Sequence, residues 1–273
     1  MQIKGNALVI GGGGGIGKAC ALAFAKNGAA AVLVVDLNLE AAQQTCSESR
    51  ACAASPDFRV EAYSADITVN PSVERLTAYA AESFGRIDYC VNAAGRGAET
   101  NHETAEADVD EFTRLLQCNV LGAFLVIKQV SALMKTQEAI LNDPNSPMRG
   151  ATRGTIVVIG SASSFTSGHG LMQYTTSKFG VLGLVKNSAL DNAQYGIRVN
   201  CVCPSWVDTP MMKRAVESLE GLGEAIDKAV PLGRIATPEE VADTVLFMSS
   251  PYSSYVTGCG FIVDGGTTLT SHT

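Results

Sequence analysis

A run of five glycines near the start of the chain is the feature that most constrains its fold. The run occupies residues 11–15, continues as Ile16-Gly17, follows an apolar segment at 7–10 and precedes a helical pattern at 18–27. Glycines let the backbone approach a pyrophosphate, and the next helix supplies unpaired N–H groups and partial positive charge. A flexible loop is the alternative, but loops seldom join a buried strand to a well-delimited helix. The pattern therefore predicts a dinucleotide-binding turn.

Short apolar runs alternate with helical patterns along the whole chain, and we interpret the runs as buried strands. They lie at 7–10, 31–35, 59–65, 87–91, 155–159, 197–203 and 260–263. The helices are predicted at 18–27, 38–54, 71–84, 108–135, 172–192 and 238–249. Such alternation is typical of parallel sheets. We predict an α/β fold, a Rossmann-type doubly wound parallel sheet of about seven strands with helices on both faces.

The chain of 273 residues is long enough for one large domain spanning 1–273. Residues 137–153 are polar and contain two prolines, which predicts a surface insertion. Residues 205–230 mix Met, Leu and Gly with charges, which predicts a mobile, partly helical flap over a substrate site.

Composition argues against several classes of function. The net charge of −7 argues against general nucleic-acid binding, which needs a basic surface. No Cys-x-x-Cys pair occurs and only three histidines are present, so no metal site is expected. Cys201 and Cys203 alternate in an apolar run, as packed thiols do. No run of eighteen apolar residues exists. We expect a reduced, cytoplasmic protein with no nucleic-acid or membrane partner.

Two acids end predicted strands, Asp36 after the second and Asp66 after the third. An acid about twenty residues beyond the glycines suits the adenosine ribose and would repel the extra phosphate of NADP. No Arg or Lys directly follows Asp36, and none lies in the glycine turn. The sequence therefore favours NAD over NADP. Asp36 could instead cap the next helix. Asp66 either meets the adenine amino group or caps its own turn.

Tyr174 and Lys178 stand four residues apart in a predicted helix, so their side chains project from one face. A phenol titrates near pH 10 in water. A cation about 4 to 5 Å away stabilises the ionised phenol by roughly 4 kcal/mol at an effective dielectric near 20. Such a pair can exchange a proton close to neutral pH. The alternative is an amphipathic stem beside a solvated charge.

Small or polar residues also mark two other predicted elements. Asn92-Ala93-Ala94-Gly95 follows the fourth strand, where small side chains leave room for a flat cofactor. Asn119 lies among apolar residues of the helix at 108–135, where asparagine has poor helix propensity. Asn119 is either a functional group or a satisfied core amide.

Together these features resemble the single-domain short-chain dehydrogenase/reductase family over nearly the full length of the chain. The motifs that carry the resemblance are Gly11-x-x-x-Gly15-Ile16-Gly17, Asn92-Ala93-Ala94-Gly95, Asn119, Ser161, Tyr174-x-x-x-Lys178 and the segment from Pro204 to Thr209. Ser161 precedes Tyr174 by thirteen residues, the spacing that the family uses.

The resemblance implies hydride transfer between NAD and a secondary alcohol or ketone. It implies Tyr174 as general acid or base, Lys178 as the cation that favours the ionised phenol and binds the nicotinamide ribose, and Ser161 as a hydrogen-bond partner of the reacting oxygen. Asn119 would hold a water that links Lys178 to solvent. The cofactor contacts so implied are Gly11, Gly15, Ile16, Gly17, Asp36, Asp66, Ile67, Asn92, Ala93, Gly95, Tyr174, Lys178, Pro204, Val207 and Thr209, with Asp66 at the adenine and Thr209 at the carboxamide.

Several positions depart from the family pattern. Ile10 replaces a Thr before the first glycine, which removes a hydrogen bond within the turn. Glycines at 12–14 replace Ala or Ser, which should make the turn more costly to order. Ala93 replaces an Asn, and Ser205 replaces a Gly, where it would be strained if the position requires φ > 0. These changes bear on cofactor affinity and leave the catalytic groups in place.

The expected substrate pocket is apolar and soft, which predicts a hydrophobic, cyclic secondary alcohol or ketone as the small-molecule substrate. Its expected lining is Ser161, Ser163, Phe165, Met172, Tyr174, Trp206, Met211 and Met212, with Arg96 and His169 at the rim. Packing of the flap by these same residues is the alternative. The insertion at 137–153 resembles that of some fungal natural-product dehydrogenases of this family, a hint of secondary metabolism.

Two other classes of function stay open. One is a family member that uses the pocket and Tyr174 for non-redox chemistry, such as a cyclase or isomerase. The other is a cofactor-binding regulator without turnover, which an intact Ser161, Tyr174 and Lys178 set argues against. The resemblance also implies a homotetramer or dimer that associates through the helices at 108–135 and 172–192.

Overall fold

Within residues 3–218 and 222–270, which the computed structural model describes, seven strands form one parallel sheet. The strands are β1 (Asn6–Ile10), β2 (Ala31–Asp36), β3 (Arg59–Ser64), β4 (Tyr89–Asn92), β7 (Gly154–Ile159), β8 (Ile197–Pro204) and β9 (Gly260–Val263); β5 (Ile140–Leu141) and β6 (Ala151–Thr152) form a separate hairpin. The sheet order is β3-β2-β1-β4-β7-β8-β9. The predicted Rossmann-type doubly wound sheet is therefore confirmed.

Helices cover both faces of the sheet. They are α1 (Gly15–Lys26), α2 (Leu39–Cys52), α3 (Asn70–Phe84), α4 (Val109–Leu115), α5 (Gly122–Thr136), α6 (Met172–Ala193), α7 (Pro210–Ser218), α8 (Leu222–Ala229), α9 (Pro238–Ser249) and α10 (Thr267–Thr270). One apolar core packs α3, α5 and α6 on the sheet, and a second packs α1, α2 and α9 on the other face.

The strands are apolar at successive positions because they are buried on both faces. In β1, Leu8 and Ile10 belong to one core, whereas Ala7 and Val9 belong to the other. Side chains of a strand alternate between the two faces of the sheet, so an uninterrupted apolar run supplies both cores.

The predicted helix at 108–135 is interrupted in the structure. A π-helical segment, Leu116–Leu121, separates α4 from α5. The extra residue of such a segment shifts the side chains that follow, and π-helical turns occur often at functional sites. Asn119 lies within this segment.

The insertion at 137–153 is not the plain surface loop that its composition predicts. It contains the β5–β6 hairpin and a short 3₁₀ turn, Pro147–Arg149. Its first residue, Gln137, is buried, and its side chain is hydrogen-bonded to both backbone groups of Ile87 and to the Arg153 carbonyl. A polar residue can be buried there because its amide satisfies backbone groups at the amino ends of β4 and β7.

The segment predicted as a flap at 205–230 contains α7 and α8, as its helical character suggested. Residues 219–221 of that segment lie outside the described part of the chain. The role of this segment as a substrate flap stays a prediction, as does the single domain at 1–273.

One described helical stretch, Val109–Thr136, is long and apolar enough to cross a membrane by length and composition alone. Half of its apolar window is buried inside the fold, as in a core helix of a globular protein. A cytoplasmic location stays a prediction.

Candidate active site

The candidate site lies where the strand order reverses. The chain runs outward from β1 to β2 and β3, then returns to place β4 on the other side of β1. Ile10, the last residue of β1, is in register with Val35 in β2 and Asn92 in β4. The segments that follow these strands therefore meet at one edge, the usual ligand site of a doubly wound sheet.

The glycine turn after β1 packs directly against the segment after β4. Gly11 has φ of +76°, and a Cβ built there would lie 2.6 Å from the Ala94 nitrogen. A Cβ on Gly17 would lie 2.0 Å from the Gly11 oxygen. Only glycine fits at these two positions, so the turn is held tightly beneath 93–94.

Two observations at this edge fit a dinucleotide. Gly14 is the N-cap of α1 without a side-chain cap, and no atom lies within 4 Å of a Cβ built there, so the space beside Gly14 at the start of α1 is open. Asn92 is 1% exposed, and its side-chain nitrogen has no hydrogen-bond partner. A buried donor without a partner at this edge of the sheet is suited to a ligand acceptor.

Asp36 ends β2 and contacts the glycine turn. Its carboxylate accepts hydrogen bonds from Gly13 N at 2.9 Å and from Asn38 N at 3.0 Å. Asn38 is the residue that caps α2, through a bond from Ala41 N, so the alternative role of Asp36 as that cap is wrong. A contact of this carboxylate with an adenosine ribose stays a prediction.

Asp66 binds its own turn in the structure. Its Oδ1 accepts from the Thr68 N–H at 2.8 Å and from the Thr68 hydroxyl at 2.7 Å. The turn-capping alternative therefore describes this carboxylate, and an adenine contact stays a prediction. The neighbouring Ile67 is buried, with its side chain against Gly122.

Tyr174 and Lys178 lie on one face of α6, as predicted. The Lys178 ammonium is 5.7 Å from the centre of the Tyr174 ring and donates to the Ile159 carbonyl at 3.2 Å. Lys178 is buried, whereas Tyr174 is partly exposed. Ser164 also donates to the Lys178 carbonyl at 2.9 Å. The end of β7 thus holds the Lys178 ammonium, and the 3₁₀ turn after β7 holds its backbone.

The Asn119 side chain is a satisfied buried amide. Its Oδ1 accepts from Arg96 N at 2.8 Å, and its Nδ2 donates to the Arg96 carbonyl and to Ser177 Oγ, both at 3.0 Å. Ser177 lies on α6 between Tyr174 and Lys178. The core-amide alternative therefore holds for the side chain, which joins the segment after β4 to the helix of the Tyr–Lys pair.

Ser161 follows β7 and caps a short 3₁₀ turn, Ala162–Ser164. It is 8% exposed, and its hydroxyl accepts from Ser163 N at 3.0 Å.

Cys201 and Cys203 lie below this turn in β8 with sulfurs 3.5 Å apart. Both are fully buried, as expected of packed thiols. Among the described residues, no group of three or more His, Cys, Asp or Glu could hold a metal ion.

The segment after β8 reaches the glycine turn. The Thr209 methyl lies 3.3 Å from a Cβ built on Gly15, and the Thr209 hydroxyl accepts from Met212 N. Pro204 ends β8, and the buried Val207 forms a bridge with Ala236. No described residue other than glycine has a positive φ. Ser205 therefore does not have the positive φ that would strain its backbone.

The residues expected at the substrate pocket occupy different environments. Met172 is 38% exposed and Met211 44%, and the Met211 sulfur lies 3.2 Å from a Cβ built on Gly97. The Phe165 ring instead packs beside Gly260 and Leu182, at the edge strand β9. Trp206 is half-buried, and its carbonyl accepts from Ala236 N.

Sequence reasoning missed a buried polar group beside Tyr174. Glu111 in α4 is 3% exposed and bonds Glu99 N, Thr100 N and the Thr100 hydroxyl. Gln173 is 4% exposed and donates to the Thr100 carbonyl at 3.0 Å. The available signal was that Glu111 stands four residues before the buried Leu115, so both project from one helix face.

Comparisons with known proteins agree with this architecture. A family model described as enoyl-(acyl carrier protein) reductase matches residues 11–268. Short-chain dehydrogenase srdC of Neurospora crassa is 53% identical over 272 residues, covering 100% of both chains. Short-chain dehydrogenase fogB of Aspergillus ruber is 54% identical over 271 residues, covering 99% of both. (+)-Borneol dehydrogenase 2 of Salvia officinalis is 32% identical over 274 residues, covering 97% of this chain and 90% of that one.

Solved structures show the same fold. Levodione reductase superposes with a TM-score of 0.85 at 28% identity, covering 97% of this chain and 98% of that chain. A structure described as ribose-5-phosphate isomerase from Brucella melitensis 16M also gives 0.85 at 28% identity, covering 99% and 95%.

The doubly wound sheet and the glycine turn at its switch point are typical of dinucleotide-binding proteins. The chain belongs to the short-chain dehydrogenase/reductase family. Members of this family use a nicotinamide cofactor, NAD or NADP, and act on small molecules.

Proposed function

We propose that the chain is an NAD-dependent dehydrogenase that interconverts a hydrophobic, cyclic secondary alcohol and its ketone. The observation that carries this proposal is the Tyr174–Lys178 pair on one face of α6, with the Lys178 ammonium bound to the end of β7. That end lies at the same sheet edge as the glycine turn. The bound nicotinamide would supply the acceptor or donor of hydride.

In this proposal the protein moves the proton. Tyr174 exchanges it with the substrate oxygen, and the Lys178 ammonium favours the ionised phenol. The Ser161 hydroxyl, at the end of β7, binds and orients the same oxygen. Asn119 sets the position of α6 through Ser177, and a water at its segment would link Lys178 to solvent as a proton relay.

The preference for NAD is proposed from Asp36. Its carboxylate accepts from Gly13 N, within the turn that would bind the pyrophosphate. Lys18, the first basic residue after the turn, is paired with Glu48 at 2.7 Å and so has a local counter-charge. An uncompensated carboxylate disfavours an added phosphate. NAD use favours the oxidative direction, from alcohol to ketone.

The substrate class is proposed from the exposed apolar side chains beside the site and from one relative. Met172 and Met211 are partly exposed, and Met211 approaches the segment after β4. The plant relative described as (+)-borneol dehydrogenase 2 is named for a cyclic alcohol. Apolar, polarisable side chains favour a hydrophobic substrate.

A non-redox enzyme on the same fold is the second candidate, and one observation favours keeping it. A structure described as ribose-5-phosphate isomerase is as similar to this chain as levodione reductase is, with a TM-score of 0.85 in both cases. An isomerase or cyclase would convert its substrate without any change in the redox state of the cofactor. The test must therefore measure the cofactor and the product separately.

The test is turnover of a panel of secondary alcohols with NAD and NADP, followed by absorbance of the reduced nicotinamide and by product analysis. Replacing Tyr174→Phe removes only the hydroxyl, and kcat should fall by about 10² to 10⁴. Tyr195→Phe, just beyond the carboxyl end of α6, is the matched control and should keep full activity. Product formation without reduced cofactor would instead favour the isomerase or cyclase.

A further inference from the structure

The connection between β4 and α4 is an exposed segment that passes beside α6, the helix of Tyr174 and Lys178. Residues 99–106 of this connection are all exposed, and only one short 3₁₀ turn, Thr104–Glu106, is present in it. Two buried polar side chains from other elements hold it, namely Glu111 from α4 and Gln173 from α6. We call residues 96–107 the wall segment.

Glu111 binds the middle of the wall segment through several donors. Its Oε1 accepts from Glu99 N at 2.6 Å and from Thr100 N at 3.3 Å, while Oε2 accepts from the Thr100 hydroxyl. Burial raises the pKa of Glu111, but the Thr100, Glu99 and Gln173 hydrogen bonds outweigh it and bring the pKa below its usual range. The carboxylate is therefore ionised at neutral pH, and its hydrogen bonds are charge-assisted.

Gln173 attaches the wall segment to the start of α6. Its side-chain nitrogen donates to the Thr100 carbonyl at 3.0 Å, and the next residue in the chain is Tyr174. Close by, His102 N donates to the Gly170 carbonyl at 3.3 Å. The segment is thus joined to α6 immediately before the proposed proton-transfer residue.

The other side of the wall segment faces the flap. A Cβ built on Gly97 would lie 3.2 Å from the Met211 sulfur in α7. Arg96 is bonded through both backbone groups to Asn119. The wall segment therefore extends from the Asn119 amide to the first turn of α7, with the Tyr174 end of α6 beside it.

We propose that Glu111, together with Gln173, positions the wall segment so that it forms one side of the substrate pocket and limits the size of the substrate. Glu111 is a positioning residue, because it acts through Glu99 and Thr100. The inference rests on the proposed function, since it assigns the pocket of that same site. It adds a specificity determinant to which the exposed Thr100 also contributes.

The first experiment is amide hydrogen exchange of the protein without substrate, comparing the wild type with Glu111→Gln. The variant keeps the size of the side chain and removes its charge, so exchange of the Glu99 and Thr100 amides should become at least about tenfold faster. Asp110→Asn, an exposed acid beside Glu111 on the same helix, is the control and should leave exchange unchanged. If the Glu99 and Thr100 amides exchange equally slowly in Glu111→Gln and in the wild type, the positioning role of Glu111 is wrong, whatever the activity of the enzyme.

The second experiment measures kinetics on a small acyclic and a bulky cyclic alcohol. Glu111→Gln and Thr100→Val should each change the ratio of kcat/KM for the two alcohols by about fivefold to tenfold, mainly through KM. The dissociation constant of NADH should stay within about twofold, and the double variant should change the ratio no further than one single variant, because both act on one contact. An equal loss of kcat on both alcohols, an unchanged ratio, or additive effects would contradict the specificity role. Absence of wild-type turnover on any alcohol would count against the proposed function. The hydrogen-exchange result would still show whether Glu111 holds the wall segment.

Discussion

Lys178 illustrates at the scale of one residue how the fold holds a buried charge. The residue is 6% exposed, and its ammonium donates to the Ile159 carbonyl at 3.2 Å. An ammonium has three donors, and a buried charge is costly unless these are paired. A Cβ on Gly95 would lie 3.8 Å from that ammonium and 3.2 Å from Asn119 Oδ1. The absence of a side chain at Gly95 thus leaves space beside the cation, where we propose that the cofactor ribose binds.

Cofactor choice is testable at a single carboxylate. Asp36→Asn keeps an acceptor for Gly13 N but removes the charge that would repel an added phosphate. The ratio of kcat/KM for NAD to that for NADP should therefore fall by about tenfold or more. Steady-state kinetics with each cofactor measure the ratio. Asp66→Asn is the control: its carboxylate binds Thr68, so the ratio should stay constant. A wild type that prefers NADP would contradict the assignment.

Helix α9 shows at the scale of an element how a local sequence pattern supports a core. The Thr237 hydroxyl accepts from Glu240 N, and the Glu240 carboxylate accepts from Thr237 N at 2.9 Å, which forms a capping box. Arg234 binds the same carboxylate through two nitrogens, at 2.8 and 2.6 Å. Val241 and Val245 of this helix are fully buried against α1 and the sheet. The cap therefore fixes the start of a helix that closes one core.

Removing this cap should lower stability measurably. Thr237→Ala leaves a first-turn N–H of α9 without its partner and should cost about 1 kcal/mol. In a chain of this size that corresponds to a fall in Tm of about 2 to 4 °C. Differential scanning calorimetry at pH 7 measures it. Thr244→Ala, in the middle of the same helix, removes a hydroxyl but no cap and should change Tm by less. Equal falls in both variants would show that the cap contributes nothing.

The acid partner of the cap predicts a pH dependence. Hydrogen bonds from Arg234 and from the Thr237 backbone lower the pKa of Glu240 from 4.5 to about 2. A lowered pKa in the folded state adds stability above about pH 4.5 that is lost as the pH falls towards about 2. The difference in Tm between wild type and Glu240→Gln should thus be largest at neutral pH and narrower at about pH 3. A difference that widens on acidification would contradict this sign.

The order of the elements was predictable because each apolar run serves two cores, a pattern that few other folds produce. The π-helical segment was not, and Asn119 within it is hydrogen-bonded to Arg96 and Ser177, which are distant in sequence. The same holds for Gln137 and Glu111. Both belong to polar stretches, and only the three-dimensional neighbours show that each is buried and satisfied. For the Tyr174–Lys178 pair, helical spacing alone gave the shared face, whereas the Ile159 contact could not be read from it.

At the scale of the whole molecule, two adjacent helices carry exposed apolar side chains. Phe124 in α5 is 44% exposed, and Phe179 and Leu190 in α6 are 48% and 77% exposed. These are the helices predicted to form a dimer or tetramer contact. Burying such side chains against a second copy would be favourable. Homo-oligomerisation through this surface stays a prediction.

That prediction is checked by analytical ultracentrifugation. The wild type should sediment as a dimer or tetramer of the 28.5 kDa chain, and the double variant Phe124→Glu with Phe179→Glu should sediment mainly as a monomer. The double charge would be unpaired within the contact, and this is unfavourable. Leu141→Glu, on the β5–β6 hairpin, introduces a charge at a similarly exposed apolar residue and should not change the mass. A monomeric wild type would remove the contact altogether.

The position of the hairpin has a practical consequence. Residues 137–153 precede β7 and meet the amino ends of the strands through Gln137, whereas the candidate site lies at the carboxyl ends. Met148 at the tip of this insertion is 97% exposed. A fluorescent label or a surface linker attached there would hold the molecule by the side opposite the glycine turn. The hairpin is therefore a suitable attachment site for immobilising this protein on a support. The carboxyl ends of the strands, where the candidate site lies, would then face the solution.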